Sequence, residues 1–532
     1  MPSEKFILAI DLGTSGPKAA LFSLRGELIG SEFQENRVLL LPDGGAEQSP
    51  AEWWDSINVA VKRLLGKKLV PNEDIHAIAT TGQWSGTVAV DSDGNALGNA
   101  IIWMDSRGEP YVRQIGDGLI KVADFAISKL IKWIQVTGGL PSVAGKDPIA
   151  HILYLKHIHP EIYQQTYKFL EPIDYIGLLL TGKFAASVNS IVLHWVTDNR
   201  NISNIAYDKS LIRISTIDRE KLPDLHPANA VLGPLLPRIA KEWGLPEDVQ
   251  VIMGSPDVHS AAVGSGAVAD FATHVYIGTS GWMTCHMPFK KTDVLHSLAS
   301  LPSSIPGRYL LTNEQECAGV NLQYLRDNVF FHSDELTSNK PENAYKLFDQ
   351  IAARTPAGSG GVLFTPWLYG ERTPVEDRFV RGGFLNLSLH TNREHMVRAV
   401  FEGVAFNARW LLKYIEQFIG KQVEAINIVG GGAKSDIWCQ IHADVLNRPI
   451  RQMKDPIEVN VRGAALLAAA SMGYIRYDDI ASRAPVAKTY TPNPDHQKIY
   501  KELFREFLAV YENNKKMYAR LNKSDIHATG EL

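Results

Sequence analysis

One tetrapeptide, Gly-Thr-Ser-Gly, occurs twice in this chain, and each copy follows a short apolar run. The first copy spans residues 13–16 and the second spans residues 278–281. The preceding runs are too short for helices and rich in branched residues, which predicts buried strands. Because a repeated strand–turn unit is typical of a duplicated architecture, the chain is predicted to fold as two similar halves.

The first copy is preceded by an acid at the point where its strand leaves the core. Asp11 is followed by Gly13, Thr14 and Ser15, small residues that let backbone N–H groups and hydroxyls approach an anion. Lys18 opens the next apolar run. An acid beside a phosphate-sized turn is typical of a metal–nucleotide site, although an ordinary hairpin could carry the same residues. We predict that the two turns face the phosphates of a nucleotide from either side of a cleft.

Composition narrows the class of protein and its partners. A chain of 532 residues exceeds what one core normally supports, which predicts two large domains. With 45% hydrophobic and 21% charged residues and a net charge of −4, a globular protein is expected, and neither nucleic acid nor a membrane is expected as partner. Three cysteines without metal-ligand spacing indicate a reducing compartment. With no signal peptide or long apolar run, a cytoplasmic location is predicted.

Polar residues at two strand ends in the first half are candidates for a polyol-binding site. Gln83 and Trp84 follow the predicted strand 75–81, where ligand-binding side chains of an α/β sheet are usually displayed. Asp105 and Arg107 lie two residues apart, on the same side if the chain is extended. Polyol recognition needs such donors and acceptors with an aromatic wall. The alternative is a surface loop with an ion pair beside a core tryptophan. Residue types alone favour this alternative over a polyol site.

A second acid, Asp257, follows a buried-type strand that ends in Gly-Ser-Pro. Pro256 favours a helix start, which places Asp257 near a helix N-terminus. The helix field and backbone donors are expected to hold a carboxylate there in its ionised form. Helix N-capping alone would also explain an aspartate at this position.

Local patterns predict several further elements. Ser49 and Pro50 predict the start of an amphipathic helix. Thr391 and Glu394 predict a capping box at the start of a long helix. A strand followed by three glycines at 430–432 predicts a tight turn whose bare backbone can contact a heterocycle or a phosphate. A closing helix is expected at 458–470, followed by a mixed-charge helical tail.

Taken together and in order, these motifs resemble those of the FGGY carbohydrate kinases, within the actin and sugar-kinase superfamily. The similarity extends from about residue 5 to residue 480, and within the family it is greatest to pentulose kinases such as xylulokinases. The markers are Asp11-Leu-Gly-Thr-Ser-Gly-Pro-Lys18, Trp103-Met-Asp-Ser-Arg107, Gly254-Ser-Pro-Asp257, Gly278-Thr-Ser-Gly281, the segment 382–402 and Gly430-Gly-Gly-Ala-Lys-Ser435.

The resemblance implies an α/β fold of two RNase-H-like domains with a cleft between them. The implied boundaries are 1–266 for the sugar and catalytic base, 267–485 for the nucleotide, and 486–532 for the tail. It implies ATP and Mg²⁺ as cofactors, a small-molecule sugar as substrate, and a homodimer as a common arrangement among relatives. The implied site residues are Asp257 as catalytic base and sugar contact; Gln83, Trp84 and Asp105 as sugar contacts; Gly13, Thr14, Ser15, Lys18, Gly278, Thr279, Ser280, Gly281, Gly431, Gly432 and Ser435 as nucleotide contacts; and Asp11 as a metal ligand through water.

Some residues depart from the xylulokinase pattern. Gln83-Trp84-Ser85-Gly86 replaces a Gln/Met-His-Gly segment, which removes a sugar contact and adds a bulkier wall. Asn386 replaces a glycine, and His151 and Tyr154 replace a lysine and a tryptophan. These positions bear on the sugar more than on phosphoryl transfer.

The reaction that the resemblance implies is transfer of the γ-phosphoryl group of ATP to a ketopentose, with the 5-hydroxyl of D-xylulose as the first choice. Kinases for ribulose, gluconate, glycerol or a hexulose are alternatives. A nucleotide-binding member of the superfamily without catalysis is another, although the presence of both Asp11 and Asp257 argues against it.

Overall fold

The computed structural model describes residues 4–122, 124–334 and 341–522. Two large mixed sheets organise these residues. The first has the spatial order Val231–Pro234, Gln250–Ile252, Ile75–Gly82, Phe6–Gly13, Gly16–Ser23 and Leu28–Phe33, with Ser255–Pro256 also paired to Ile75–Gly82. The second has the order Thr292–Asp293, Leu298–Pro302, Tyr309–Thr312, Gly281–Met287, Thr273–Ile277, Ile426–Val429, Ile450–Met453 and Val486–Tyr490. The prediction of an α/β chain with two sheet-based halves is confirmed.

Helices and short strands cover and connect the two sheets. The α-helices are Pro50–Gly66, Glu109–Gly116, Ile127–Thr137, Pro148–Ile158, Pro160–Gln165, Pro172–Thr181, Lys209–Ser215, Pro237–Trp243, Asp257–Gly264, Val320–Tyr324, Ala344–Arg354, Arg393–Ile419, Asp436–Leu446, Val459–Ser471 and Gln497–Asn522. The short strands are Leu39–Leu40, Ala46–Gln48, Val88–Val90, Ala100–Ile101, Lys121–Val122, Phe125–Ala126, Lys168–Leu170, Ala185–Ser187, Thr197–Asp198, Ala206–Tyr207, Asp224–His226, Leu363–Thr365 and Gly383–Leu385. None of the helices among the described residues is long and apolar enough to cross a bilayer.

Both Gly-Thr-Ser-Gly segments connect antiparallel strands, and both hairpins lie beside a parallel strand. In the first sheet, strand Phe6–Gly13 pairs antiparallel with Gly16–Ser23 and parallel with Ile75–Gly82. In the second, strand Thr273–Ile277 pairs antiparallel with Gly281–Met287 and parallel with Ile426–Val429. The two halves therefore repeat the same local topology, as the repeated tetrapeptide predicted.

A helix from each half of the sequence meets its counterpart at the centre of the molecule. Gly264 in helix Asp257–Gly264 and Gly463 in helix Val459–Ser471 allow backbone to contact backbone. A Cβ at Gly463 would lie 1.8 Å from the carbonyl oxygen of Ser260. A Cβ at Gly264 would lie 1.9 Å from the carbonyl oxygen of Val459.

Helix Val459–Ser471 also covers the first sheet, although it comes from the second half of the sequence. Val461 and Ala465 pack against Ile7, Ala9 and other apolar side chains of that sheet. This packing brings the N-terminal end of the helix to the region where Asp11 lies.

One predicted helix start is wrong by one residue. Helix Arg393–Ile419 is capped by Asn392, whose side chain accepts from the backbone N–H of His395, while the His395 ring bonds back to Asn392. The hydroxyl of Thr391 instead accepts from the backbone N–H of Ser388. The two possible caps are adjacent, and the preceding turn uses the threonine. The other predicted caps, Ser49 and Pro50, are confirmed.

The chain beyond residue 485 begins with a strand that the sequence pattern did not predict. Val486–Tyr490 pairs antiparallel with Ile450–Met453 at the edge of the second sheet. Helix Gln497–Asn522 then buries Tyr500 and Phe507 in the core of the second half. The segment predicted as a helical tail is therefore partly integrated into that half, and the predicted boundaries at 266 and 485 stay predictions.

Candidate active site

Asp11 and Asp257 flank the end of one strand. In strand Ile75–Gly82, Thr81 pairs on one side with Asp11 and on the other with Ser255, two residues before Asp257. Neighbouring strands lie about 4.8 Å apart, so Asp11 and Ser255 are about two strand spacings from each other, and Asp257 follows Ser255 by two residues. Asp257 is the first residue of helix Asp257–Gly264, and its carboxylate accepts a hydrogen bond of 2.7 Å from the backbone N–H of Val258. The two acids from distant parts of the sequence therefore share one edge of the first sheet.

The charge of Asp11 influences the protonation of Asp257. Burial and the charge of Asp11 raise the pKa of Asp257 to about 8, and Glu314 of the second half adds to the effect. Burial also raises the pKa of Asp11, against the lowering effect of Lys18. The helix field favours the ionised form of Asp257, but burial and neighbouring negative charge act in the opposite direction and raise its pKa.

Lys18 is paired with Asp11 in the hairpin, but its ammonium group is engaged elsewhere. It donates to the carbonyl of Ile457 at 2.8 Å and lies 3.0 Å from a carboxylate oxygen of Glu458. Asn460, the second residue of helix Val459–Ser471, donates from its side-chain amide to Asp11 at 3.3 Å. The sequence pattern gave no sign of these contacts, because Glu458 and Asn460 belong to a segment predicted only as a closing helix.

The first turn presents hydroxyls at the surface of the cleft. Thr14 is partly exposed and Ser15 is exposed. The Thr14 hydroxyl accepts a hydrogen bond of 3.0 Å from the indole of Trp103, which leaves its own proton available to an acceptor. A side chain at Gly16, whose φ is +140°, would place its Cβ 2.0 Å from the carbonyl oxygen of Gln34. The tight backbone thus requires glycine there, while the threonine and serine side chains remain available.

The second turn lies near the same acids. Tyr276, two residues before Gly278, is close enough to Asp11 and Asp257 that burial and both carboxylates raise the pKa of its phenol. The carbonyls of Gly278 and Thr279 accept from backbone N–H groups of residues 318–320, just before helix Val320–Tyr324. The Thr279 side chain is exposed and Ser280 is partly exposed. Both turns therefore lie at the region of the two carboxylates.

The glycine turn is packed against the strand that leads into the second hairpin. Gly430 has φ +88°, and a Cβ there would lie 2.6 Å from the carbonyl oxygen of Ile277. A Cβ at Gly432 would lie 2.4 Å from the Ile277 side chain, whereas a Cβ at Gly431 would meet no atom within 4 Å in the described structure. Gly431 therefore leaves open backbone surface beside the second turn, and Gly432 serves close packing.

Ser435, predicted to contact a nucleotide, has a structural role. Its side chain caps helix Asp436–Leu446 by accepting from the backbone N–H of Trp438, and its hydroxyl donates to Asp349 at 2.6 Å. The predicted helix start near Asp436 is confirmed. The Ser435 hydroxyl has both a donor and an acceptor partner before any ligand binds.

Gln83 and Trp84 lie past the end of strand Ile75–Gly82, as predicted. The Gln83 amide donates to Gln48 at 2.8 Å, and its own oxygen is buried without a hydrogen-bond partner among the described residues. Trp84 is half-buried; its indole N–H donates to the carbonyl of Ser190, and its ring meets His259 edge to face at 5.1 Å. His259 is two residues after Asp257, so the tryptophan wall is fixed against the helix that carries the second acid.

Comparison with protein families identifies this arrangement. Residues 6–264 match the N-terminal domain of the FGGY family of carbohydrate kinases, and residues 274–472 match its C-terminal domain. Together the two matches cover more than half of the chain. The chain belongs to the FGGY family of carbohydrate kinases. It is therefore a phosphotransferase with an alcohol group as acceptor, of the two-domain fold that the sequence resemblance implied.

Relatives of this kinase act on more than one named substrate. A xylulose kinase of Staphylococcus epidermidis is 27% identical over 530 residues, which is 97% of this chain and 99% of the relative. The solved gluconate kinase of Lactobacillus acidophilus superposes with a TM-score of 0.85 at 26% identity, covering 98% of this chain and all of that one. A xylulose kinase of the same organism gives 0.84 at 26% identity, covering 97% of this chain and all of the other.

The side chain of Asp105 in this kinase is bonded to neighbouring residues. Its side chain is 1% exposed, and one oxygen accepts from the backbone N–H of Ala46 and from the guanidinium of Arg107. Arg107 also pairs with Glu47 at 2.6 Å and donates to the hydroxyl of Tyr154. The segment is a turn and not extended, so acid and base bond to each other. Asp105 fixes Arg107 and presents little surface to a ligand.

A charged cluster in the second half was missed by sequence reasoning. Arg372 bonds Glu314 at 2.5 Å and Glu316 at 2.8 Å. Burial and the charge of Arg372 influence Lys146 of the first half: burial lowers the pKa of Lys146, which Glu316 partly offsets. Glu314 and Glu316 follow strand Tyr309–Thr312 without a recognisable spacing, so only the fold brings this cluster to the side of Asp257.

Proposed function

We propose that this kinase transfers the γ-phosphoryl group of ATP to a hydroxyl of a ketopentose, with the 5-hydroxyl of D-xylulose as first choice. The observation that carries the proposal is the position of Asp11 and Asp257 on either side of strand Ile75–Gly82, near both Gly-Thr-Ser-Gly turns. Phosphoryl transfer depends mainly on positioning and on stabilising charge, and this arrangement can provide both. The named xylulose kinase relatives support the choice of sugar.

Asp257 is proposed as the base that accepts the proton of the attacking hydroxyl. A base must be within hydrogen-bond reach of that proton and have a pKa near the working pH. The pKa of about 8 lies one unit above neutrality, so the group gains or loses its proton easily in that range. Arrival of a cation near Asp11 would lower the pKa of Asp257 and favour the ionised, basic form.

The two turns are proposed to bind the phosphates. Hydroxyls of Thr14, Ser15, Thr279 and Ser280, together with nearby backbone N–H groups, would donate to phosphate oxygens as negative charge shifts during transfer. Gly431 would leave room for the adenosine, and Ser435 would act on it only through the helix that it caps. The engaged ammonium of Lys18 would reach a phosphate only after leaving Ile457 and Glu458.

The residues around Asp11 fit a hydrated Mg²⁺ ion. One oxygen of Asp11 is buried and has no hydrogen-bond partner in the described structure, and Mg²⁺ is usually bound through few carboxylates while keeping several waters. When bound, the ion would neutralise charge on the phosphates. Asp11 would hold it through water, while Gln83 and Trp84 would contact the sugar. Asp105 is proposed to contribute to the sugar site by fixing Arg107.

We further propose domain boundaries at residues 266 and 485 and a homodimer, which follow from the family resemblance, and a cytoplasmic location, which follows from the sparse cysteines. These are independent of the choice of substrate.

A substrate panel with ADP release as readout tests the proposal. D-xylulose is expected to give the highest kcat/KM, followed by D-ribulose, gluconate, glycerol and hexuloses. Gluconate is the second candidate, because a gluconate kinase structure superposes over the full chain. A preference for gluconate would leave the reaction class intact and overturn the choice of sugar. ATP binding without transfer to any panel member would overturn the function.

The role of the base is tested by Asp257→Asn with Asp248→Asn as matched control. Asp248 is exposed and lies just before strand Gln250–Ile252, at the end of the sheet away from Asp257. Loss of a general base is expected to lower kcat by about 10²- to 10⁴-fold, whereas the control is expected to keep normal activity. Sugar-dependent ADP release near the normal rate in Asp257→Asn would refute the assignment.

A further inference from the structure

Two buried oxygens beside the first turn have no hydrogen-bond partner in the part of the chain that the structure describes. One belongs to Asp11 and the other to the side-chain amide of Asn460. The two side chains are already joined, because the Asn460 nitrogen donates to the second oxygen of Asp11 at 3.3 Å. A buried acceptor without a donor destabilises the folded protein. Two such acceptors on bonded side chains therefore indicate a place where a ligand supplies donors.

The orientation of the Asn460 amide follows from this bond. A carboxylate oxygen accepts hydrogen bonds, so the NH₂ group faces Asp11 and the amide oxygen is turned away from that contact. The ammonium group of Lys18 does not donate a hydrogen bond to either oxygen, because it is bonded to the Ile457 carbonyl and to Glu458. Glu458 is in turn held by the hydroxyl of Ser31 at 3.3 Å.

The chemistry of the two oxygens matches the water shell of a divalent cation. Carboxylate and amide oxygens are the groups that Mg²⁺ and its coordinated waters prefer. Groups that hold metal ligands in place by hydrogen bonds commonly change metal affinity by 10–100-fold when they are removed. Asn460 could act in this way from the second half of the sequence, while Asp11 acts from the first.

We propose that Asn460 is a positioning residue of the metal–nucleotide site. Its NH₂ group orients Asp11, and its oxygen gives the water shell of the cation a second acceptor. The inference rests on the proposed function, because it requires a metal nucleotide in the cleft. Because Asn460 belongs to helix Val459–Ser471, metal binding at Asp11 would also stabilise the contact of this helix with the first sheet.

Binding of Mn²⁺, followed by electron paramagnetic resonance in the presence of ADP, tests the proposal without turnover. Asn460→Ala is expected to weaken Mn²⁺ binding to the full-length protein·ADP complex by about 10-fold. Binding of ADP without metal is expected to stay unchanged. Asn460→Asp, which keeps an oxygen at the position, is expected to recover part of the Mn²⁺ affinity.

Ser31→Ala is the matched control. It removes a hydrogen bond between the first sheet and Glu458 but leaves Asp11 and Asn460 in contact. Mn²⁺ affinity is expected to be unchanged in this variant, and thermal unfolding verifies that each variant is folded. If Asn460→Ala does not fold, the comparison of wild type, Asn460→Asp and Asn460→Ser decides, with weaker Mn²⁺ binding expected for serine.

The possible results distinguish a failure of the role proposed for Asn460 from a failure of the proposed function. Equal Mn²⁺ affinity in wild type and in the folded Asn460 variants would overturn the role of Asn460 and leave the proposed function standing. Equal weakening by Asn460→Ala and Ser31→Ala would show that loosening of the helix is the cause, and would also overturn it. If the wild-type protein binds neither ADP nor Mn²⁺ with ADP, the proposed function itself fails.

Discussion

The two Gly-Thr-Ser-Gly turns have the same four residues but different geometry. In the first, Gly13 pairs with Gly16, so Thr14 and Ser15 form a two-residue loop. In the second, Ile277 pairs with Gly281, so the loop contains Gly278, Thr279 and Ser280. A shift of one residue in pairing changes which groups point to the same face of a hairpin. Identical loop residues therefore do not imply identical ligand contacts.

The flanking pairs differ even more than the loops. In the first hairpin Asp11 is paired with Lys18. In the second, Tyr276 is paired with Trp282, and their rings stack with centroids 4.0 Å apart. One hairpin thus carries a pair of opposite charges at this position and the other carries a stacked aromatic pair. Under the proposed function, the first turn would act on metal and phosphate, whereas the second would give a rigid support for the same phosphates.

Asp11→Asn is the change expected to have the largest effect on this comparison. It keeps the shape of the side chain and removes the charge that distinguishes the first hairpin. We expect kcat to fall by about 10³-fold, at the upper end of losses on removal of an electrostatic partner. Tyr276→Phe serves as control at the corresponding position. A smaller loss for Asp11→Asn than for the control would break the proposed division of roles.

The second-largest effect is expected in the dependence of kcat/KM on pH. Because burial and the charge of Asp11 raise the pKa of Asp257 to about 8, the protonated, inactive form dominates below that pH in the free protein. Activity of the base is thus gained as pH rises through 8, and kcat/KM should fall about 10-fold per pH unit on the acidic side. In Asp11→Asn the acidic limb should move to lower pH. A limb that stays in place would exclude electrostatic coupling between the two acids.

The hydroxyls of the two turns can be compared directly. Thr14→Val and Thr279→Val remove one donor each at almost constant size. We expect losses in kcat of about 10²-fold for Thr14, which is close to Asp11, and less for Thr279, whose side chain is exposed. Steady-state kinetics with saturating ATP measures both. Equal losses would show that the two turns hold the phosphates symmetrically in spite of their different pairing.

The smallest effect is expected for changes to the stacked pair of Tyr276 and Trp282. Tyr276→Phe keeps the stack on Trp282 and removes only a hydroxyl, so kcat and KM for ATP should change by less than about 3-fold. Tyr276→Ala removes the stack, which is worth about 0.5–1.5 kcal/mol beyond its burial, and should raise KM for ATP more than it lowers kcat. Equal changes in the two variants would mean that the phenol hydroxyl, and not the stack, matters.

Local features were predictable from sequence where a few neighbouring residues decide them. The hairpin at Asp11, the cap at Ser49 and the helix start after Ser435 each depend on residues within one turn or strand. The cap at Asn392 was missed because Thr391 is an equally suitable local choice, and only its bond to Ser388 decides between them.

The site was predictable only where it coincides with a motif. Asp11 and Asp257 lie at the ends of recognisable strands, so their positions could be predicted, whereas their roles stay predictions from the family resemblance. The contact of Asp11 with Asn460 joins residues 449 positions apart, and the cluster of Arg372 with Glu314 and Glu316 joins separate loops. No spacing rule connects such residues, because the packing of helix Val459–Ser471 on the first sheet creates the contact.

The close contact of that helix with helix Asp257–Gly264 limits how one helix can shift against the other. At Gly264 and Gly463 the two central helices touch through bare main chain, so no long side chains interlock at the crossing. Sliding of one helix along the other would bring larger residues into a space that has no room for a methyl group, whereas turning about the crossing keeps the contact. We therefore expect helix Val459–Ser471 to turn about this contact more easily than it slides along it, so that Asn460, next to the contact, keeps its position beside Asp11.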